Sequence, residues 1–450
     1  MRILLTGASG FVGTQLGKAL VREGHDLIVL TRDPAKADLP FPAKVLSWKE
    51  DLPKDVEAVV HLAGESIAGK RWSAKRKKEI VESRTGSTED LLKKLKDSSR
   101  LKVVVAASAI GFYGNRGDEV LTEQSHHGKG FLADTCVAWE EATAKFQPLC
   151  ERFVQLRIGI VLERSGGALA EMLPIFKRGV GGVLGAGSQW MSWIHLDDLI
   201  GLIVFSLKEN QVKGPWNAVA PNPVTNRQFT KTLAQTLRCK SFLPAPAFGL
   251  KMVLGEMSSL LLDSQRVKEK FSSAGYAFRF PTLESALMAI CQNVERKRGL
   301  LTQEHRAETW IEVDIAKAFQ FFSDTKNLER ITPPEYELKV LSQSTVKPKE
   351  GTTFEYSMKC KGIQVTCKSH VMEWMENQKM ASTHEKGPYA FWYHSLQFEK
   401  LKNGTLLVER VLYRWKYGFF GEMFCQTTLR SNLIEIFRYR MRKAKELLKS

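Results

Sequence analysis

The chain has 450 residues, 43% of them hydrophobic, 26% charged and 10% aromatic. That composition is ordinary for a globular protein and excludes a disordered, collagen-like or disulfide-scaffold chain. The net charge of +17 is spread along the chain, with dense runs at Lys70–Lys78 and Arg438–Lys445. No nucleic-acid module accompanies them, so they read as solvated helix faces that attract an anionic ligand, not as a nucleic-acid surface.

From the first residue to about residue 160, short β-branched runs alternate with amphipathic helical patterns. The runs are Arg2–Thr6, Leu27–Thr31, Ala58–His61, Lys102–Ala107 and Phe153–Ile160; the helical patterns are Phe11–Glu23, Ser73–Lys96 and Leu132–Phe146. Strands separated by helices predict βαβ units in an α/β, Rossmann-type, doubly wound parallel sheet. Residues 161–297 are more irregular. Helical patterns near Asp197–Leu207, Asn226–Leu237 and Phe248–Leu262 read as a cap over the ligand edge of that sheet.

A break at Glu295-Arg296-Lys297-Arg298-Gly299 closes this first domain, residues 1–297. Beyond it, strict alternation replaces helical spacing. Phe354, Tyr356 and Met358 share one strand face, Ile363, Val365 and Cys367 another, and Asn403-Gly404 marks a hairpin turn. A strand (Glu308–Val313), a helix (Ile315–Ser323) and a long closing helix (about Thr428–Leu448) frame these strands. The second domain, residues 304–450, is therefore predicted to be α+β.

Several classes drop out. The longest apolar run, Leu199–Leu207, is too short to span a bilayer. The first strand runs straight into a Gly-rich turn with no room for a secretory signal, so a cytoplasmic protein is expected. Seven cysteines without a Cys-x-x-Cys pair read as reduced thiols, and the nine histidines show no ligand spacing, so no metal is expected.

The strongest local signal is Thr6-Gly7-Ala8-Ser9-Gly10-Phe11-Val12-Gly13, between a predicted strand and a predicted helix. Gly7 and Gly10 let the backbone turn and approach a pyrophosphate. Gly13 lets the helix pack close, and the helix N-terminus faces the negative charge. Thr6, Gly7, Ser9, Gly10, Phe11, Val12 and Gly13 are the candidate dinucleotide-binding residues here. About twenty residues further on, the second strand ends in Thr31-Arg32-Asp33. An Arg at this point suits a 2′-phosphate, so Thr31 and Arg32 favour NADP, while Asp33 leaves NAD open.

The Thr-Gly-x-x-Gly-x-x-Gly spacing resembles the extended short-chain dehydrogenases. His61-Leu62-Ala63-Gly64-Glu65, Ser108-Ala109-Ile110-Gly111-Phe112-Tyr113-Gly114, Gln189-Trp190-Met191-Ser192-Trp193-Ile194-His195 and Leu254-Gly255-Glu256-Met257 narrow the likeness to the epimerase-like family 39U. That family consists of NAD-dependent epimerase/dehydratase-like proteins with an extra C-terminal segment, here about residues 245–297. The resemblance implies that Leu62, Ala63 and Gly64 line the cofactor and that Ser108 stands at the active-site Ser/Thr position. It also places His195 on a substrate-side loop.

Hydride-transfer members use a Tyr with a Lys four residues later, the Lys easing proton transfer at the phenol. This chain departs from that pattern. Its first domain has only Tyr113 and Tyr276, followed four residues later by Gly117 and Phe280. Ser108, Tyr113 and His195 are therefore the candidate catalytic residues, with Lys129 and Glu140 also at hand. The second domain resembles the SRPBCC or START-like helix-grip superfamily, through Ala318-Phe319-Gln320-Phe321-Phe322-Ser323-Asp324 and the strand set closed by a long helix. That likeness implies a cavity for a hydrophobic or aromatic small molecule. Three functions remain open: an NAD(P)-dependent oxidoreductase or epimerase acting on such a molecule, a non-catalytic NADP(H) sensor, and a lyase or isomerase with a structural dinucleotide.

Overall fold

The computed structural model describes residues 1–96, 98, 101–239, 243–295, 302–360, 363–415 and 428–449. The expected break at Arg296–Gly299 and Cys425 lie outside these residues. The chain divides into two compact units, residues 1–37 with 43–297 and residues 38–42 with 298–450. Among the described residues, no helix is long and apolar enough to cross a membrane.

The first unit is built on seven strands, β1 (Arg2–Thr6), β2 (Asp26–Thr31), β3 (Lys44–Ser47), β4 (Ala58–His61), β5 (Leu101–Ala109), β6 (Cys150–Ile158) and β7 (Gly214–Ala218). They pair in the order β3-β2-β1-β4-β5-β6-β7, and every pairing is parallel. A parallel sheet is covered on both faces, which is why β1 and β4 are nearly continuous apolar runs with no alternation. The order reverses between β1 and β4. In open α/β sheets such a reversal opens a crevice beyond the carboxyl ends of the strands, here at Thr6, Thr31, His61 and Ala109.

Helix α1 (Phe11–Arg22) follows β1 directly and buries Leu16, Leu20 and Val21. Helix α2 (Ala74–Leu95) starts where the Ser73 hydroxyl accepts from the Arg76 N–H, an ordinary side-chain cap for an otherwise unpaired donor. Helix α3 (Phe131–Ala144) lies against α2 and β5. The pattern at Asp197–Leu207 does form a helix, Leu196–Lys208, but it is no cap: it packs against α1 and β5. Leu199, Leu202, Ile203 and Leu207 are all buried, and a helix this apolar needs a sheet face to cover it. The Phe248–Leu262 pattern breaks into Ala247–Leu254 and Ser259–Leu262 around a tight turn, because Gly255 adopts φ +61°.

The second unit is a seven-stranded antiparallel sheet. In spatial order its strands are Gln303–Ile311, Gly404–Trp415, Tyr389–Leu401, Lys379–Lys386, Ile363–Met375, Thr353–Cys360 and Lys339–Gln343. The long helix Thr428–Lys449 closes the chain. The alternation read from sequence works across strands: Tyr356 pairs opposite Cys367, and both join Phe354, Met358 and Val365 in one cluster. Phe437 and Met441 of the long helix pack onto Trp392, Val411, Phe398 and Leu407 of the sheet.

Candidate active site

The turn after β1 is shaped so that nothing larger than glycine fits. Gly7 has φ +72°, and a β-carbon on it would lie 2.7 Å from the Leu62 carbonyl oxygen. A β-carbon on Gly13 would lie 2.1 Å from the Gly7 oxygen, so α1 sits directly against the turn. No side chain caps the N-terminus of α1 and its first turn holds no acid. Its leading N–H groups therefore point at the crevice, where a phosphate would complete them. This cradle fits the pyrophosphate of a dinucleotide.

A buried polar chain fixes the neighbouring segment. The Ala63 N–H donates to Thr6 Oγ1 (3.2 Å), which leaves the Thr6 hydroxyl to donate to His61 Nδ1 (2.8 Å). Thr88 donates to the Arg84 carbonyl (2.6 Å), so it accepts from His61 Nε2 (3.0 Å). The ring is thus neutral with its proton on Nε2, and burial pushes its pKa down to about 4. His61 consequently faces the core, while Leu62-Ala63-Gly64 leave β4 along the crevice. Arg84 lies behind Gly64 and donates to the Glu65 carbonyl (3.0 Å).

At the end of β2, the Arg32 side chain is 84% exposed and only loosely paired with Glu65 at 3.7 Å. Asp33 is held by Lys36 at 2.9 Å. The cation is the group left available at this strand end.

Ser108, near the end of β5, is buried and donates to Glu140 Oε1 at 2.6 Å. Arg157 of β6 grips Glu140 with both Nε and Nη2, each at 2.9 Å. Its Nη1 donates to the Tyr113 hydroxyl (3.0 Å), which donates to Asn217 Oδ1 (2.6 Å). The Arg157 guanidinium also lies 3.5 Å over the Phe112 ring. Tyr113 is completely buried, and burial raises its phenol pKa, with Arg157 opposing. Cys136 stands one turn before Glu140 on α3. Burial foremost, with the Glu140 charge adding to it, pushes its thiol up to about 12.

The structure thus brings Ser108 and Tyr113 together through Glu140 and Arg157. It does not bring His195 into that network. His195 caps the helix Leu196–Lys208 by accepting from the Asp197 N–H (3.0 Å), and its ring lies 3.9 Å from that of Phe280. Arg157 and Asn217 were not singled out from sequence. The available signal was a cation inside the apolar run of β6, which needs a buried partner. Beyond Tyr113, Asn115, Asp118, Gln189, Lys251, Leu262 and Ser264 are among the residues lining a cavity of about 490 Å³.

Residues 3–218 match the NAD dependent epimerase/dehydratase family, and residues 245–290 match a domain of unknown function, DUF1731. The chloroplastic epimerase family protein SDR39U1 homolog of Arabidopsis thaliana is 40% identical over 304 residues, covering 65% of this chain and 87% of that protein. The chain belongs to this SDR39U1-like epimerase family. Epimerase family protein YfhF of Bacillus subtilis (strain 168) is 34% identical over 296 residues, covering 64% of this chain and 97% of that protein. The crystal structure of human epimerase family protein SDR39U1 (isoform2), solved with NADPH, is 33% identical with a TM-score of 0.60. It aligns with 65% of this chain and 100% of its own. Cys136 and Glu140 stand four residues apart on α3, with Glu140 hydrogen-bonded to Ser108. Relatives of this kind leave about a third of the chain unmatched.

Proposed function

We propose that the chain is an NADP(H)-dependent oxidoreductase or epimerase in which Ser108 and Glu140 handle the proton that a Tyr/Lys pair handles elsewhere. The observation that carries this reading is the 2.6 Å hydrogen bond from Ser108 to Glu140 at the crevice end of β5, closed by the two-point grip of Arg157. The cofactor supplies or accepts a hydride when bound. Residues Thr6–Gly13 and Leu62–Gly64 would hold its pyrophosphate side, with Thr31 and Arg32 at the 2′-phosphate. The NADPH bound to the human relative supports that preference.

Ser108 accepts a hydrogen bond from a substrate hydroxyl while its own proton points at Glu140. As the substrate loses its proton to Ser108, the serine proton moves to the Glu140 carboxylate, and reduction runs the path backwards. Arg157 orients Glu140, and Tyr113 braces Arg157. His195 holds the start of its helix on the substrate side. The second unit, read as a START-like domain, captures or delivers the small molecule on which the first unit acts.

The test is NADPH oxidation against a panel of aldehydes and ketones, with Ser108→Ala alongside. Turnover lost in Ser108→Ala with unchanged NADPH affinity supports the reading. A second reading, a dinucleotide sensor, is favoured by the absence of a Tyr/Lys pair from the first domain. NADPH that binds tightly and is never oxidised would select it.

A further inference from the structure

Within the second unit, the sheet and the terminal helix line a cavity of about 140 Å³. A cavity needs roughly 10–15 Å³ by that measure to admit one water, so the space is large enough for several waters or a small organic molecule. Phe354, Trp392 and Leu396 give it apolar walls, but Glu409, Arg440 and His384 line it as well.

Those polar groups are incompletely satisfied. Glu409 is 2% exposed; its Oε1 accepts from His394 Nε2 at 2.8 Å, and its Oε2 has no partner. The Arg440 Nη2 donates to Thr332 Oγ1 at 3.2 Å, while its Nε–H is sealed from solvent and has no partner. His384 is bonded through Nε2 to the Tyr356 hydroxyl at 2.9 Å, and its Nδ1 is unmatched. Burial lowers the proton affinity of Arg440 and the Glu409 charge raises it, so the two feel each other across the cavity. An orphaned buried polar group is destabilising, because it has lost its water partners and gained none in return. A domain that only needed a core would be more stable with apolar residues at these positions. Three orphans around one cavity are the signature of a site whose remaining partner is a ligand.

We propose that this cavity takes a small molecule with an aromatic or aliphatic body and an uncharged polar head, in which a donor meets Glu409 Oε2 and an acceptor meets Arg440 Nε–H. Carboxamides and hydroxyketones have this chemistry; hydrocarbons and simple fatty chains do not. The inference rests on the reading of the second unit as a ligand-binding domain and narrows the ligand's class.

The test is equilibrium dialysis of the full chain with 2-naphthamide and with 2-methylnaphthalene, which share a body and differ in the head. The amide is expected to bind at least tenfold more tightly. Glu409→Gln, checked for folding by circular dichroism, is expected to weaken the amide about tenfold and leave the hydrocarbon unchanged. Equal binding of both probes, or amide binding indifferent to Glu409→Gln, overturns the polar head while leaving an apolar site in place. Binding of neither probe overturns the ligand-binding reading itself. If the variant does not fold, the comparison of the two probes on the unmodified chain decides.

Discussion

Replacing Glu140 by Gln removes one charge from a pair that is almost sealed: the Arg157 and Glu140 side chains are 5% and 11% exposed. Two hydrogen bonds of 2.9 Å join them, so little of their interaction is screened by solvent. Breaking a buried pair from one side leaves the other charge stranded, at about 3–5 kcal/mol. At about 2–4 °C per kcal/mol for a domain near this size, the first unit should melt roughly 10 °C earlier. Replacing both residues by Met removes the stranded charge and should recover more than half of that loss. It cannot recover all of it, because the Arg157 contact with Phe112 at 3.5 Å is also lost, about 2 kcal/mol when desolvated. Activity should separate from stability. Glu140→Gln should lower kcat by about 10²–10⁴ without changing NADPH affinity, and the double Met variant should regain the melting temperature but not the rate. Calorimetric melts and NADPH oxidation at 340 nm read the two effects. A Glu140→Gln variant that melts with the unmodified protein would refute the packing argument, and a double variant with restored turnover would refute the proton path.

Two further outcomes follow from the same geometry. Arg32→Ala should weaken NADPH by about ten- to a hundredfold and leave NADH unchanged, since a charged hydrogen bond is worth about 1.5–3 kcal/mol; equal losses for both coenzymes would show that Arg32 does not read the 2′-phosphate. His61 should make the first unit sensitive to acid. Its folded pKa of about 4 lies below the ordinary imidazole value of 6.5, so the unfolded chain takes up the proton first. The stability that His61 contributes is complete above pH 6.5 and is lost as pH falls towards 4, about 3 kcal/mol in all. Urea midpoints at pH 7 and pH 4.5 should therefore converge in His61→Gln relative to the unmodified chain. Parallel pH slopes in the two proteins would count against a neutral buried ring.

Much of the fold was legible because its signals are local. A βαβ unit announces itself by period, and the phosphate turn by glycines whose absent side chains leave room for backbone. Gly7 and Gly13 could be named in advance because a β-carbon at either meets a carbonyl oxygen. The resemblance of Ser108 to a known active-site position was also readable in one short segment. Where sequence reasoning fell short, the missing information lay in long-range contacts. The helix Leu196–Lys208 had the right period, but only the sheet face it covers shows that it flanks α1 and does not cap the crevice. Tyr113 and Ser108 were named side by side, but Arg157 and Asn217, which join their network, come from β6 and β7.

The sequence alone determined the parallel sheet, the phosphate turn and the change to an alternating domain after residue 300, because each follows from neighbours within a turn or a strand. The tertiary structure alone decided that Glu140 takes the serine's proton bond, that His61 faces inward and that Glu409 and Arg440 meet in one cavity. Those side chains are far apart along the chain. Their chemistry is set by which charges and hydrogen bonds the folded chain brings within reach, out of water.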